Sequence, residues 1–184
     1  MDPVCFPREC FTVTSLAEVI AARGPISLAD IAHFSPVVGV NSMEPNGWMV
    51  VGLDTNFYAT GGQHVVDGEL LGLAASVRFT PIAWTWRYGN GASATHTQSG
   101  ATWAALGVNE FDATPTSHIY RAAGTYVIEL DIRYRAEYRF AGLGWTSIQG
   151  SITLPANRLT ATAGDARTVL VDKECTRNPS GPGC

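Results

Sequence analysis

Four cysteines, four histidines and one run of charges interleaved with aromatics are the residues of this chain whose types and spacing could do chemistry. Cys5 and Cys10 lie together near the start, and Cys175 and Cys184 at the very end. Their spacings are not those of zinc knuckles, so disulfides are the expected use, which places the protein in an oxidising compartment. Four cysteines admit three connectivities. Two local loops, Cys5–Cys10 and Cys175–Cys184, need the least chain folding, and an N-to-C cross-link remains the alternative.

The histidines, at 33, 64, 96 and 118, are scattered. No Gly-x-Ser-x-Gly, His-Glu-x-x-His, phosphate-binding loop or dinucleotide fingerprint accompanies them. The expectation is a non-enzyme. A secreted hydrolase with an unrecognised site is the weaker alternative, and His96 and Asp112 are the residues on which to test it. No cofactor is expected and no metal ligands are assigned. A structural calcium would have to gather Asp54, Asp67, Glu69 and Asp112 at one end of the fold, without the spaced Asp-x-Asp-x-Asp loop that oxygen-ligated cations favour.

Binding is the better prospect. Between Tyr126 and Phe140 apolar residues fall on every even position, and the odd ones run Val127, Glu129, Asp131, Arg133, Arg135, Glu137 and Arg139. Such a stripe makes cross-strand ion pairs on a solvated sheet. Its three late arginines, Arg133, Arg135 and Arg139, could instead engage an acidic protein or an anionic envelope polymer. Trp84 and Trp86 fall on an apolar strand face and read as core, and Trp48 is expected to pack at the first strand. Trp103 and Trp145 lie in freer sequence and are the candidate platforms for a carbohydrate or cell-wall ligand, or protein hot spots, unless each folds back as a plug.

Twelve basic against sixteen acidic residues give a net charge of −4. Such a chain lacks the field that non-specific nucleic-acid binding needs, and no nucleic-acid partner is expected. No apolar run approaches the roughly 20 residues of a membrane helix, so no transmembrane segment is expected. The opening Met1-Asp2-Pro3 has no basic n-region and no signal peptide is visible. With the cysteines, this suggests a secreted or envelope-associated protein in mature form. Abundant Ala, Arg and Gly beside a single Lys fit a high-GC bacterial genome.

The elements that must position these residues divide in three. Residues 1–47 form a disulfide-bearing N-terminal extension. Ser15-Leu16-Ala17-Glu18 and Ser27-Leu28-Ala29-Asp30 each read as a helix start, and both helices would be too short to stand alone. From Trp48 to residue 174 the punctuation is all-β. Strands are expected at Trp48–Leu53, Asn56–Ala59, His64–Leu71, Ala75–Thr80, Ile82–Tyr88, Tyr126–Phe140, Trp145–Leu154 and Leu159–Val171. Residues 92–116 form a long insert, and inserts of that length inside compact domains are often functional. Residues 175–184 are a Pro/Gly tail anchored by cysteine. Six or more strands at these spacings predict an all-β antiparallel sandwich of the Ig-like type, with a short helical extension.

At Trp86-Arg87-Tyr88-Gly89-Asn90-Gly91 the sequence resembles the polycystic-kidney-disease (PKD) repeat, whose signature at this turn is Trp-Asp-Phe-Gly-Asp-Gly. The resemblance resumes at Ser117-His118-Ile119-Tyr120 and at Gly124-Thr125-Tyr126-Val127-Ile128-Glu129-Leu130. It spans roughly residues 82–130. It implies a PKD-like Ig sandwich in which Trp86, Tyr88, Gly89, Gly91, His118, Tyr120, Gly124 and Tyr126 are structural. It also implies a non-catalytic extracellular module that serves as spacer or in protein or carbohydrate contact. Arg87 and Asn90 replace two aspartates of the family's turn, removing acids that could hold a cation or cap it. The insert and the strand after Gly124 are longer than the family's. The expected function is therefore protein–protein interaction or envelope architecture, with a glycan-binding module as runner-up and the partner unidentified.

Overall fold

The computed structural model describes residues 4–6, 9–11, 24–140 and 142–165. The chain is all-β: one single-turn helix, α1 (Trp103–Leu106), accompanies thirteen strands among the described residues. β1 (Val4–Phe6) and β2 (Glu9–Phe11) form a small antiparallel ladder whose backbone sets position 5 opposite position 10. Cys175 and Cys184, for which a disulfide is expected, and the helix start expected at Ser15 lie outside the described residues.

Two long strands carry the body. β7 (Leu73–Arg87) and β10 (Gly124–Phe140) run antiparallel from Glu129 opposite Arg87 to Phe140 opposite Ala75. The alternation read between 126 and 140 is thus one unbroken strand that begins two residues earlier. The far edge of β10 is taken in turn by β13 (Leu159–Gly164), β12 (Ile152–Pro155) and β11 (Thr146–Ser147). The far edge of β7 is taken by β6 (His64–Leu70) and β8 (Ser93–His96). β4 (Trp48–Val50) adds to β13 in parallel. A three-stranded sheet of β3 (Asn41–Glu44), β5 (Asp54–Ala59) and β9 (His118–Ile119) completes the fold.

Pleating sends successive side chains to opposite faces. On β10 the even positions Ile128 to Phe140 are buried, as the pattern demands. On β7 the phase changes. Ala75, Val77 and Phe79 point inward, then Trp84 and Trp86 do. The register shifts where Arg133 opposes Ala83 while Tyr134 opposes Pro81, which leaves Ile82 as the extra residue of a bulge. The alternation expected to start at Ile82 therefore starts at Trp84. Pro81 sits at the irregularity, where a missing N–H costs the ladder least.

The inner face has two covers. Near the top, Trp86, Tyr88, Ile128 and Leu130 meet the three-stranded sheet, with the Phe57 and Tyr88 rings 5.3 Å apart. There the Trp86 Nε1–H donates to Asn41 Oδ1 at 3.0 Å, satisfying the indole in a fully buried site. Lower down, residues 26–38 cross the sheet. Ile31 and Phe34 are buried, and the Phe34 ring lies so close over Gly68 that no Cβ would fit there. Each such side chain stabilises the fold by about 1.5–3 kcal/mol.

The helix expected from Ser27 does not form. Its capping contact does: Ser27 N–H and Oγ–H donate to Asp30 Oδ2 at 2.8 and 2.7 Å. Beyond it the chain makes three turns with i to i−3 bonds, ending at Phe34 N–H to Ile31 O. His33 Nε2 bonds the Glu69 carbonyl at 2.6 Å, and the Val37 N–H donates to His64 Nε2 at 2.9 Å. These ties to β6 and its approach hold the segment against the sheet, and two turns of helix are too marginal to resist them.

Candidate functional site

The first group of interest surrounds the turn after β7. Gly89 has φ of +76° and Gly91 +88°, backbone that only glycine adopts without strain. A Cβ on Gly89 would also stand 2.6 Å from the Val127 carbonyl oxygen. Asn90 caps the turn, accepting the Ala92 N–H on Oδ1 at 3.1 Å and donating from Nδ2 to His118 Nε2 at 2.9 Å. The loss of the cap expected from the missing aspartate is thus made good by an amide. Arg87 is held outward by Glu129 and Asp131, at 3.1 and 2.7 Å, and these bonds keep its guanidinium charged.

His118 and its neighbours are structural. The Tyr120 Oη–H donates to the Tyr88 carbonyl at 2.9 Å and the Tyr126 Oη–H to the Ala122 carbonyl at 2.9 Å. Burial pushes the Tyr88 phenol up to about 12 and raises that of Tyr120 further, so neither ionises near neutrality. Burial lowers the His118 pKa against the opposing pull of Asp54. The imidazole therefore stays neutral, with Nε2 free to accept from Asn90. Gly124, φ +157°, is near-extended and begins β10 without strain.

The insert 92–116 is folded down by a buried amide. Asn56, wholly buried on β5, donates through Nδ2 to Glu44 Oε2 and the Ala101 carbonyl at 3.0 and 2.8 Å. Its Oδ1 accepts from Thr114 Oγ1 at 2.8 Å. Glu44 Oε2 also takes the Trp103 N–H at 2.8 Å, which fixes the start of α1. Thr102 caps that turn through its side chain and Gly107, φ +70°, ends it. Trp103 is 5% exposed, and its Nε1–H donates to the Asp112 carbonyl at 3.1 Å. It is a plug, not a stacking platform.

Trp48 reverses the expectation for the first strand. Expected to pack, it is 50% exposed and the most exposed of the five tryptophans. Its ring meets Phe111 at 5.9 Å, and Phe111 meets Trp103 at 5.5 Å. Trp48 opens the three-residue edge strand β4, opposite Thr162 of β13, and no pattern in the sequence marked its ring as exposed.

On the outer face of β10 the acids Glu129, Asp131 and Glu137 are all matched. Glu129 accepts from Arg87 and from Arg158, the latter at 2.7 Å, and Arg87 holds its carboxyl below the usual range. Glu137 pairs with Arg78 at 2.8 Å. Arg78 and Arg139 both lie over the Trp145 ring, their Cζ atoms 4.3 and 4.6 Å from its centroid. Trp145 is therefore engaged rather than free. Arg133 and Arg135 remain: both are exposed, and neither has an ion pair among the described residues. They flank the register shift, where the outward side chains of β10 lose their regular neighbours on β7.

The four acids proposed for calcium are not brought together. Asp54 on β5 accepts from Ser117 Oγ, Asp67 on β6 from Ser76 Oγ, and Asp112 in the insert from the Asn109 backbone and amide, while Glu69 shares β6 with Asp67. Among the described residues no group of three or more His, Cys, Asp or Glu side chains is placed to hold a metal ion. His96 abuts Trp86 with its Nε2 buried and unpartnered, and burial lowers its pKa; Asp112 belongs to the loop under Trp103. No helix among the described residues is long and apolar enough to cross a membrane. Compared with protein-family models, curated proteins and solved structures, the chain matches none.

Proposed function

We propose that this protein is a non-catalytic PKD-like Ig module, secreted or bound to the cell envelope, that holds an anionic partner against the outer face of β10. The observation that carries this reading is the pair Arg133 and Arg135, exposed and without an ion pair among the described residues on a face whose acids Glu129, Asp131 and Glu137 are all matched. An arginine fork is pre-organised for carboxylate or phosphate oxygens, and two of them at i and i+2 on one strand stand about 7 Å apart on the same side. A side chain already neutralised by a neighbour offers far less to an incoming anion.

Two features support the PKD-like part. The bond from Tyr126 back to Ala122 resembles the tyrosine corner of Ig-like sandwiches, where a tyrosine near a strand's start bonds the backbone a few residues upstream. The Gly89-Asn90-Gly91 turn and the His118–Tyr120 run meet each other through the Asn90–His118 bond, as two blocks of one motif should. A carbohydrate reading through Trp103 and Trp145 has no such support, because one ring is buried and the other is covered by guanidinium groups.

The test is affinity capture from the producing cell's envelope fraction, with the oxidised chain as bait. Retention of a specific protein or anionic polymer that is lost in the double variant Arg133→Glu, Arg135→Glu is the expected result. Retention unchanged by that variant, with its thermal unfolding intact, would remove the arginine face from the function.

A further inference from the structure

We propose that Trp48 and Phe111 form a stacking site for a pyranose ring of an uncharged glycan, distinct from the arginine face. The three aromatic rings Trp103, Phe111 and Trp48 form a ladder, with centroids 5.5 and 5.9 Å apart, that runs from a buried anchor to the surface. Its base is over-determined: Trp103 is held at its backbone by Glu44, at its indole by the Asp112 carbonyl, and through Glu44 by the buried Asn56 amide. Its middle is strained. Phe111 has φ of +65°, one of only two non-glycine residues with positive φ among the described residues. The other, Leu71, belongs to a two-residue hairpin turn, and Phe111 is the third residue of the Asn109–Asp112 turn, closed by Asp112 N–H to the Asn109 carbonyl at 3.2 Å. That turn sets the Phe111 ring between Trp103 and Trp48, and a bulky residue held at positive φ costs about 1–3 kcal/mol.

The outer ring has the properties a sugar needs. Trp48 is half exposed, and its Nε1–H makes no hydrogen bond among the described residues. The free area of the indole is on the order of 100 Å², the footprint of one sugar ring and far below the roughly 1,000 Å² of a stable protein interface. Its chain neighbours are hydrogen-bonding groups. Asn46 precedes it, and Asn109, Glu110 and Asp112 flank Phe111, all of them exposed. A pyranose presents a C–H face to an aromatic ring and hydroxyls around its rim, so an apolar plate edged by amides and carboxylates suits it. The acids disfavour a polyanion at this end, which separates the site chemically from Arg133 and Arg135.

Titration of the folded chain with neutral oligosaccharides (β-1,4-linked glucose and N-acetylglucosamine series) reads the site through Trp48, the most exposed indole. Saturable binding with a blue shift of the exposed emission is expected. It should weaken at least about tenfold in Trp48→Ala and in Phe111→Ala, persist in Trp48→Tyr, and be unchanged in Arg133→Glu, Arg135→Glu. That last arm keeps failure of the glycan site distinct from failure of the arginine face. No binding by any oligosaccharide, or binding indifferent to Trp48→Ala, would overturn the assignment. So would capture of a protein lost in both Trp48→Ala and the loop variant Leu106→Asp, Val108→Asp, since those neighbouring exposed apolar residues are what a protein hot spot would recruit.

Discussion

The imidazole of His118 lies parallel to the phenol ring of Tyr88, with centroids 3.9 Å apart and planes within 2°. Tyr120 closes the group edge-on at 4.9 Å, and Asn90 donates to His118 Nε2. The two halves of the family-like motif are 26 or more residues apart in the chain, and this stack is where they join. It fixes the turn that ends β7 against the strand that precedes β10, and so sets the register of the face on which Arg133 and Arg135 stand.

Because burial lowers the His118 pKa, the unfolded chain takes up a proton before the native one does. Stability from this group is therefore present above the ordinary imidazole value near 6.5 and is lost as pH falls below it. His96, also lowered by burial, adds to the loss in the same direction. Thermal unfolding followed from neutral to mildly acidic pH should show a falling Tm. His118→Phe, which keeps a flat ring over Tyr88 without a titrating nitrogen, should flatten that slope. An unaltered slope would mean that the group is protonated in the fold.

The glycines of the turn are not equivalent. Both have positive φ, so alanine at either is strained by about 1–2 kcal/mol. At Gly91 nothing lies within 4 Å of the added Cβ, and that strain should be the whole effect. At Gly89 the methyl meets the backbone of β10 at Val127, which cannot swing aside, so the cost should exceed that of Gly91→Ala by about 1–3 kcal/mol. Denaturant unfolding of the two variants measures the difference. Equal losses would show that β10 yields at Val127.

Much of this architecture was legible because it rests on period-two patterning. The seventeen residues of β10 advertise themselves, since every buried position from 128 to 140 is apolar and most outward ones are charged. What escaped was decided by tertiary contacts. The bulge at Ile82 is invisible because an isoleucine fits either phase. Asn41 fell in the N-terminal extension and Asn56 at the start of an expected strand, with no pattern to mark either amide as internal, yet both are buried and satisfy an indole, a carboxylate and the insert's backbone. Trp48 looked like core because tryptophan usually is, and only the shortness of β4 leaves its ring uncovered. At Ser27 the capping chemistry was read correctly, and the helix failed for want of length.

Trp145 joins the charged stripe to the hairpin that follows it. Its ring lies under the guanidinium groups of Arg78 and Arg139, and Arg78 also pairs with Glu137. Trp145→Ala would remove both cation–π contacts, at about 0.5–1 kcal/mol each for partly exposed groups. It would also release Arg139 toward solvent beside Arg133 and Arg135. The variant should therefore be destabilised by about 1–2 kcal/mol while binding polyanions more tightly at low salt, with the gain vanishing as ionic strength shortens the screening length. Neutral oligosaccharide binding should be unaffected, since the Trp48 ladder is built from β4 and the insert and not from β10 or the hairpin after it. A loss of oligosaccharide binding in Trp145→Ala would move the glycan contact to this ring, and unchanged polyanion affinity would show that Arg139 does not contribute to the cationic face.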